Sequence, residues 1–183
     1  MKLHARALVV VTLLVVLTGC AIFMKSQKPL QTVQSVDLPR FMGGWYVIGT
    51  IPWFVEKNNV GTMDIYKMRP DGKIDITYVF HKKSLAAPRS EMKAVATVVD
   101  QKSHASWAVQ FLWPFKAPYL ITDLADDYRY TVIAHPSRNL VWIMSRKPFM
   151  EETDYIMLLS HLKNQGYDVS RIQKVPQRVE MPK

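Results

Sequence analysis

The stretch "PDGKIDITYVF", Pro70 to Phe80, ends in an unbroken alternation: Ile74, Ile76, Tyr78 and Phe80 fall on one side, Lys73, Asp75 and Thr77 on the other. A side-chain period of two belongs to an extended strand with one face buried, and Pro70, Asp71 and Gly72 are residues of a tight turn. The segment therefore reads as a half-buried strand entered through a hairpin. Similar short runs, separated by turn residues, recur on both sides of it. They predict eight strands, at about 44–51, 61–68, 73–80, 91–99, 106–113, 119–123, 129–134 and 140–146. Spacings of roughly 10 to 15 residues leave no room for crossover helices, so neighbouring strands pair antiparallel. Only "EETDYIMLLSHLKNQG", Glu151 to Gly166, has a clear helical period, with Tyr155, Leu158, Leu159 and Leu162 on one face and Gly166 at its stop. The expected fold is mainly β: an eight-stranded antiparallel up-and-down β-barrel with one C-terminal α-helix packed outside. Closure removes exposed sheet edges, and a barrel of this size can enclose one small ligand. A sandwich of similar strand count explains the lone terminal helix less simply.

The N-terminus carries a different message. Lys2, His4 and Arg6 precede an apolar run from Ala7 to Leu17, and Thr18 and Gly19 lead to Cys20. A run of about eleven residues is too short to span a bilayer, which needs roughly 20, and reads as a secretory signal peptide. The segment "LTGC", Leu17 to Cys20, resembles the bacterial lipobox, in which the cysteine is acylated and becomes the first residue of the mature protein. Cys20 is the only cysteine in the chain, so acylation leaves the exported domain without a disulfide. The expected organisation is a signal peptide over 1–19, the acylated cysteine and a tether over 20–36, and the folded domain over 37–183. If flexible, the sixteen residues of the tether would span roughly 20 to 25 Å. The resemblance to lipoproteins adds that Ala21, where an aspartate would favour inner-membrane retention, fits the outer membrane of a two-membrane bacterium, on its periplasmic side.

A second stretch, "RFMGGWYVIGTIPWF", Arg40 to Phe54, opens the first strand with Gly43, Gly44 and Trp45. With Arg146 in "VWIMSRKP" about 100 residues later, it resembles the first and third motifs of the lipocalins, most closely the bacterial outer-membrane lipocalins akin to apolipoprotein D. The second family motif, Thr-Asp-Tyr, is present only as Thr122 and Asp123 followed by Leu124, with a tyrosine at Tyr128, and this departure weakens the expected loop packing at the closed end. The similarity covers about Val36 to Gln177. A guanidinium can lie flat over an indole, a contact of about 0.5–2 kcal/mol. The resemblance thus gives Gly43, Trp45, Thr122, Asp123 and Arg146 a structural role at a closed barrel end. It also implies a lipid carrier for fatty acids or lysophospholipids, a part in membrane maintenance, and the option of a homodimer.

Successive loops of such a barrel alternate between its ends. The family places the start of the first strand at the closed end, so 53–60, 81–90, 114–118 and 135–139 share the open mouth. These segments hold Lys57, Lys82, Lys83, Arg89, Lys116 and Arg138 against Glu56 alone, a net charge of +5. The closed-end connections hold Arg69, Lys102 and Arg129 against Asp71, Asp100, Asp126 and Asp127, a net −1. A basic concave entrance attracts anions. For an exported, membrane-anchored chain the partner is an anionic lipid head group rather than nucleic acid. The candidate phosphate contacts are Lys82 and Lys83 with Arg89 and Lys116. Trp53, Phe54, Trp113 and Phe115 crowd the same end, and Tyr78 and Phe80 lie on the strand below it. Apolar walls with polar groups at the rim suit an acyl chain. For Tyr78, Phe80 and Trp113, ordinary barrel filling and ligand contact both stay open, because period two does not say which face is inside.

No catalytic signature is present: no Gly-x-Ser-x-Gly elbow, no histidine pair at metal spacing and no phosphate-cradling glycine loop. His81, His104, His135 and His161 are scattered, and with the thiol used a zinc site is not expected. The sequence reads as a binding protein, not an enzyme, without metal or cofactor. A structural envelope protein with a filled barrel and a lipid hydrolase are the alternatives.

Overall fold

The computed structural model describes residues 28–178; the signal peptide, Cys20 and the tether as far as residue 27 lie outside them. Eight strands run β1 (Gly43–Ile51), β2 (Asn59–Met68), β3 (Ile74–Lys82), β4 (Arg89–Val98), β5 (Ser106–Leu112), β6 (Phe115–Leu124), β7 (Tyr130–Ala134) and β8 (Val141–Ser145). Each pairs antiparallel with the next, and β1 pairs with both β8 and β2, closing the barrel. The alternation in β3 places Ile74, Ile76, Tyr78 and Phe80 in the buried register. The up-and-down barrel is the one expected from the sequence.

Three short helical features, one of them a 3-10 turn at Val169–Arg171, and one strand are not among the sequence expectations. Helix α1 (Leu38–Phe41) spans four residues, too few for a period to show, and starts where the Asp37 carboxylate accepts the Arg40 N–H at 3.1 Å. A 3-10 turn, Phe54–Glu56, follows β1. A two-residue strand β9 (Gln173–Lys174) pairs with Gly49 and Thr50 of β1. The sixth strand begins at Phe115 rather than near 119, reducing the expected 114–118 connection to Trp113 and Pro114. Pro118 does not break it because β7 pairs only from Leu120 onward, so the proline sits where β6 has a neighbour on one side alone.

Helix α2 (Glu152–Asn164) packs outside the barrel, burying Tyr155, Leu158 and Leu162 against Ile51, Val132, Ala134, Val141 and Ile143. Gly49 permits the approach, since a Cβ there would meet the Tyr155 hydroxyl at 2.9 Å. Residues 28–36, read as part of a tether, instead run along the outside of the barrel. The Val33 N–H donates to Ile121 O at 3.0 Å and the Val36 N–H to Ser103 O at 2.8 Å.

Aromatic packing fills the closed end. Phe41, Trp45, Tyr66 and Trp107 meet with ring centroids 5.1–5.9 Å apart. The Arg146 guanidinium lies 3.8 Å from the centre of the Trp45 ring and donates to Gly44 O at 3.0 Å, Phe41 O at 3.1 Å and Arg40 O at 2.7 Å. Gly43 has φ +94, a backbone conformation that side-chain-bearing residues rarely adopt, which accounts for glycine at that position. The expected weakening beside Leu124 does not occur. Tyr128 is buried, its hydroxyl accepts the Asp37 N–H at 2.8 Å, and Arg40 stacks 4.1 Å above its ring. Asp123 ties β6 to α2 by accepting from His161 Nδ1 at 2.8 Å.

Because Trp45 is wholly buried, Trp45→Ala should lower unfolding free energy by about 3–5 kcal/mol in urea denaturation. A loss below about 1 kcal/mol would remove the floor from its role as the element that holds the barrel shut.

Candidate ligand cavity

A cavity of about 280 Å³ lies in the half of the barrel away from the Trp45 floor. It lies toward the end assigned to the mouth, where Trp53 and Glu56 after β1, Phe111 near the end of β5, and His135 and Leu140 after β7 line it. Its walls are mostly apolar or aromatic: Ile76, Val109 and Leu140, with Trp53, Phe111, Tyr78, Tyr119 and Trp142. Trp53 packs against Phe111 at 5.7 Å, and Tyr119 stacks on Trp142 at 6.1 Å.

Two carboxyl groups also face this space, and among the described residues no lysine or arginine lines it. Glu56 is delivered by the 3-10 turn, and its Oε2 accepts from the Trp53 N–H at 3.0 Å and from Trp142 Nε1 at 3.1 Å. Burial pushes its carboxyl up to about 7 against the pull of both hydrogen bonds. Asp64, on the inward face of β2, accepts from the Tyr66 hydroxyl at 3.0 Å, and that hydroxyl also bonds the Tyr119 hydroxyl. Burial first, and the charge of Glu56 second, push Asp64 up to about 7. Burial likewise holds Tyr66 and Tyr119 well above the usual tyrosine value, so both remain neutral phenols. At the mouth, burial lowers His135 from the ordinary histidine range. Asn59 Oδ1 and Thr62 Oγ1, beside Glu56, are buried with no partner among the described residues.

The residues singled out from sequence divide into several groups. Trp53 and Tyr78 line the cavity. Phe80 is buried, stacks on Tyr78 at 5.2 Å, and shares the inward register of β3. Lys82 continues that register to the rim, with Nζ 5.9 Å from the Phe80 ring. Lys83 follows in a turn with φ 63 and is exposed. Phe54, Trp113, Phe115 and Lys116 are exposed around the mouth and form no part of the cavity wall. Arg89 pairs in register with His81, on the opposite face of the sheet from Phe80, and its guanidinium meets Glu91 at 2.7 Å. It faces away from the cavity. Sequence reasoning missed Glu56, Asp64, Tyr119 and Trp142. One signal was available in β2, where Thr62, Asp64 and Tyr66 share a face while Met63 and Ile65 take the other, the reverse of the usual apolar-in pattern. Among the described residues, no cluster of three metal-ligating side chains occurs.

Residues 36–177 match the family model described as the lipocalin-like domain. The chain belongs to the lipocalin family. It is 32% identical over 163 residues to temperature-induced lipocalin-1 of Arabidopsis thaliana, covering 84% of this chain and 86% of that one. It is 25% identical over 177 residues to the outer membrane lipoprotein Blc of Vibrio cholerae, covering 94% of this chain and 99% of the relative. Among solved structures, insecticyanin from the tobacco hornworm Manduca sexta superposes with a TM-score of 0.64 at 17% identity, over 82% of this chain and 86% of that one, a likeness of fold. Lipocalins are typically binding proteins, and the lipocalin barrel here has its cavity where a small hydrophobic ligand would enter.

The carboxyl pair sets a pH dependence. In the unfolded chain both groups lose their protons near 4, whereas the folded lipocalin holds them to about 7. The folded state therefore binds more protons between about 4 and 7, and stability falls as pH rises through that window, then levels off. Ligand-stripped protein should be more resistant to urea at pH 5 than at pH 8. Glu56→Gln should flatten the difference and raise stability at pH 8 by on the order of 2–3 kcal/mol; an unchanged pH profile would show that the carboxyl is not the buried, proton-holding group described.

Proposed function

We propose that this lipocalin is an outer-membrane lipoprotein, lipid-anchored on the periplasmic side, that binds and stores or carries lipids for membrane maintenance. Fatty acids and lysophospholipids are the candidate cargo. The observation that carries the reading is the aromatic-walled cavity with its opening at the barrel mouth. At about 280 Å³ it falls just below the ~300–1,000 Å³ typical of ligand pockets, which suits a single chain better than a two-chain phospholipid. The similarity to outer membrane lipoprotein Blc and the lipobox-like ending at Cys20 support the location. A barrel filled by its own side chains would leave no such space.

Electrostatics orients the cargo. An anionic head group beside Glu56 and Asp64 would meet like charge in a poorly solvated space, so the chain enters and the head stays at the rim. Lys82, above Phe80, with Lys83 and Lys116 nearby, supplies the opposite charge there.

Organic-solvent extraction of the purified protein followed by mass spectrometry should release a single-chain lipid in near-stoichiometric amount. Trp53→Ala should weaken binding about tenfold while shifting the melting temperature by less than about 3 °C, since the ring contributes wall rather than floor. An empty protein that binds no single-chain lipid would overturn the carrier reading. The double variant Lys82→Ala/Lys83→Ala should lose affinity for a lysophospholipid and keep it for an uncharged monoacylglycerol of equal chain length. Equal losses for both ligands would remove the lysines from head-group recognition.

A further inference from the structure

We infer that the barrel mouth is a membrane-docking face, seated on an anionic phospholipid surface with Phe54, Leu112, Trp113 and Phe115 in the interfacial layer. The inference rests on the anchored-carrier reading and deepens it by naming the surface through which cargo would be exchanged. Its first support is the distribution of exposed apolar side chains. Eight large ones are exposed among the described residues, and five of them, Phe54, Phe111, Leu112, Trp113 and Phe115, belong to the turn after β1 and the β5–β6 hairpin. The other three, Val99, Phe149 and Ile156, are scattered elsewhere. At the mouth the exposure is extreme: 76% for Phe54, 71% for Leu112, 82% for Trp113 and 73% for Phe115. Contiguous exposed apolar surface marks a partner, and aromatic side chains favour the interfacial layer of a bilayer. The two tips are held together by Trp53, whose ring lies 4.9 Å from Phe54 and 5.7 Å from Phe111.

Charge supplies the second support. Lys57, Lys82, Lys83 and Lys116 surround these tips, all are exposed, and none forms an ion pair among the described residues. Basic groups around an apolar protrusion match an anionic lipid surface, which takes the apolar groups between its head groups and the cations against its phosphates.

The path of the N-terminal segment is the third. Val36 lies at the closed end, bonded to Ser103 of the β4–β5 connection. Going backward along the chain, Gln31 N–H donates to Gln165 at the C-terminal end of α2, and Lys28 O accepts from Arg138 in the β7–β8 connection. The described chain therefore begins beside the mouth. Seven residues lie between Cys20 and Lys28, and the eight links that join them reach at most roughly 26–29 Å. A strand of ten residues is itself about 33 Å long, so an anchor at Cys20 reaches a membrane at the mouth readily and one at the closed end poorly.

The test uses the full-length protein isolated from membranes with detergent and reconstituted into phosphatidylethanolamine–phosphatidylglycerol vesicles whose acyl chains carry bromine near the head group. The protein should float with the vesicles, and its tryptophan emission should be quenched. Trp113→Phe, which keeps the apolar tip, should remove more than half of that quenching, because Trp113 alone of the five tryptophans is strongly exposed: Trp45 and Trp107 are buried at the other end, and Trp53 and Trp142 face the cavity. Replacing Lys57, Lys82, Lys83 and Lys116 together by glutamate should reduce quenching at least twofold without releasing the protein. Flotation with quenching that is absent, or unchanged in Trp113→Phe, overturns mouth-down docking and leaves the anchor intact. Failure to float overturns both readings. A dimer that shields Trp113 in the absence of lipid would assign the apolar tips to a second copy of this chain and overturn the inference.

Discussion

A guanidinium with no carboxylate partner among the described residues closes the floor of this barrel. Arg146 lies over the Trp45 indole and directs its N–H groups at the carbonyls of Arg40, Phe41 and Gly44, so that β8, β1 and α1 meet at one cation. Desolvation lowers its pKa from the ordinary arginine value, yet arginine remains charged across the physiological range. The contact is thus insensitive to pH. Because Phe41, Tyr66 and Trp107 pack behind it, the lower half of the barrel is solid and the space for a ligand lies only above.

That upper space has an unusual polarity. Two carboxyl groups face it with no lysine or arginine beside them among the described lining residues, held by an indole, a peptide N–H and a phenol. Burial of a charge is tolerated when the group can take a proton instead, and both groups do so near neutrality. The barrel interior is therefore close to neutral in mildly acidic surroundings and negative in mildly basic ones, while the rim stays positive. Polarity within one cavity is graded along the barrel axis, which is how an amphiphile can be given a direction without a dedicated head-group pocket.

The sequence made some of this legible and hid the rest for identifiable reasons. Strand β3 could be read because its apolar and polar faces separate cleanly, and Trp45 and Arg146 because a motif joins them. Strand β2 misleads: Thr62, Asp64 and Tyr66 point inward while Met63 and Ile65 face the outer side, so a rule that sends polar groups outward reverses the strand. Glu56 was counted as a stray charge at the mouth, since nothing local reveals that a 3-10 turn swings its carboxylate onto Trp142, 86 residues away. Arg89 was assigned to the mouth by its place in the chain, but pairing with His81 fixes it on the outer face. Lys28 to Val36 lack periodicity because they are held by backbone hydrogen bonds to the barrel, which leave no trace in side-chain pattern.

The seam between β1 and β2 carries a consequence for how the chain reaches this structure. The two strands pair directly only where Gly43–Tyr46 meets Met63–Tyr66. Above that point the gap is filled by the C-terminal segment: the Val175 N–H donates to Ile48 O, the Gly61 N–H to Pro176 O, and Gln177 Nε2 reaches both Val47 O at 2.7 Å and Thr62 O at 3.0 Å. The Gln177–Val47 bond spans 130 residues. Contacts of such long sequence separation form late and slowly, because loop-closure entropy opposes them until the rest is in place. A chain emerging N-terminus first from a ribosome or a translocation pore cannot complete this seam until Gln177 is free. Late closure keeps the chain threadable until those residues arrive, and it makes Val175 to Gln177 the latch of the finished vessel.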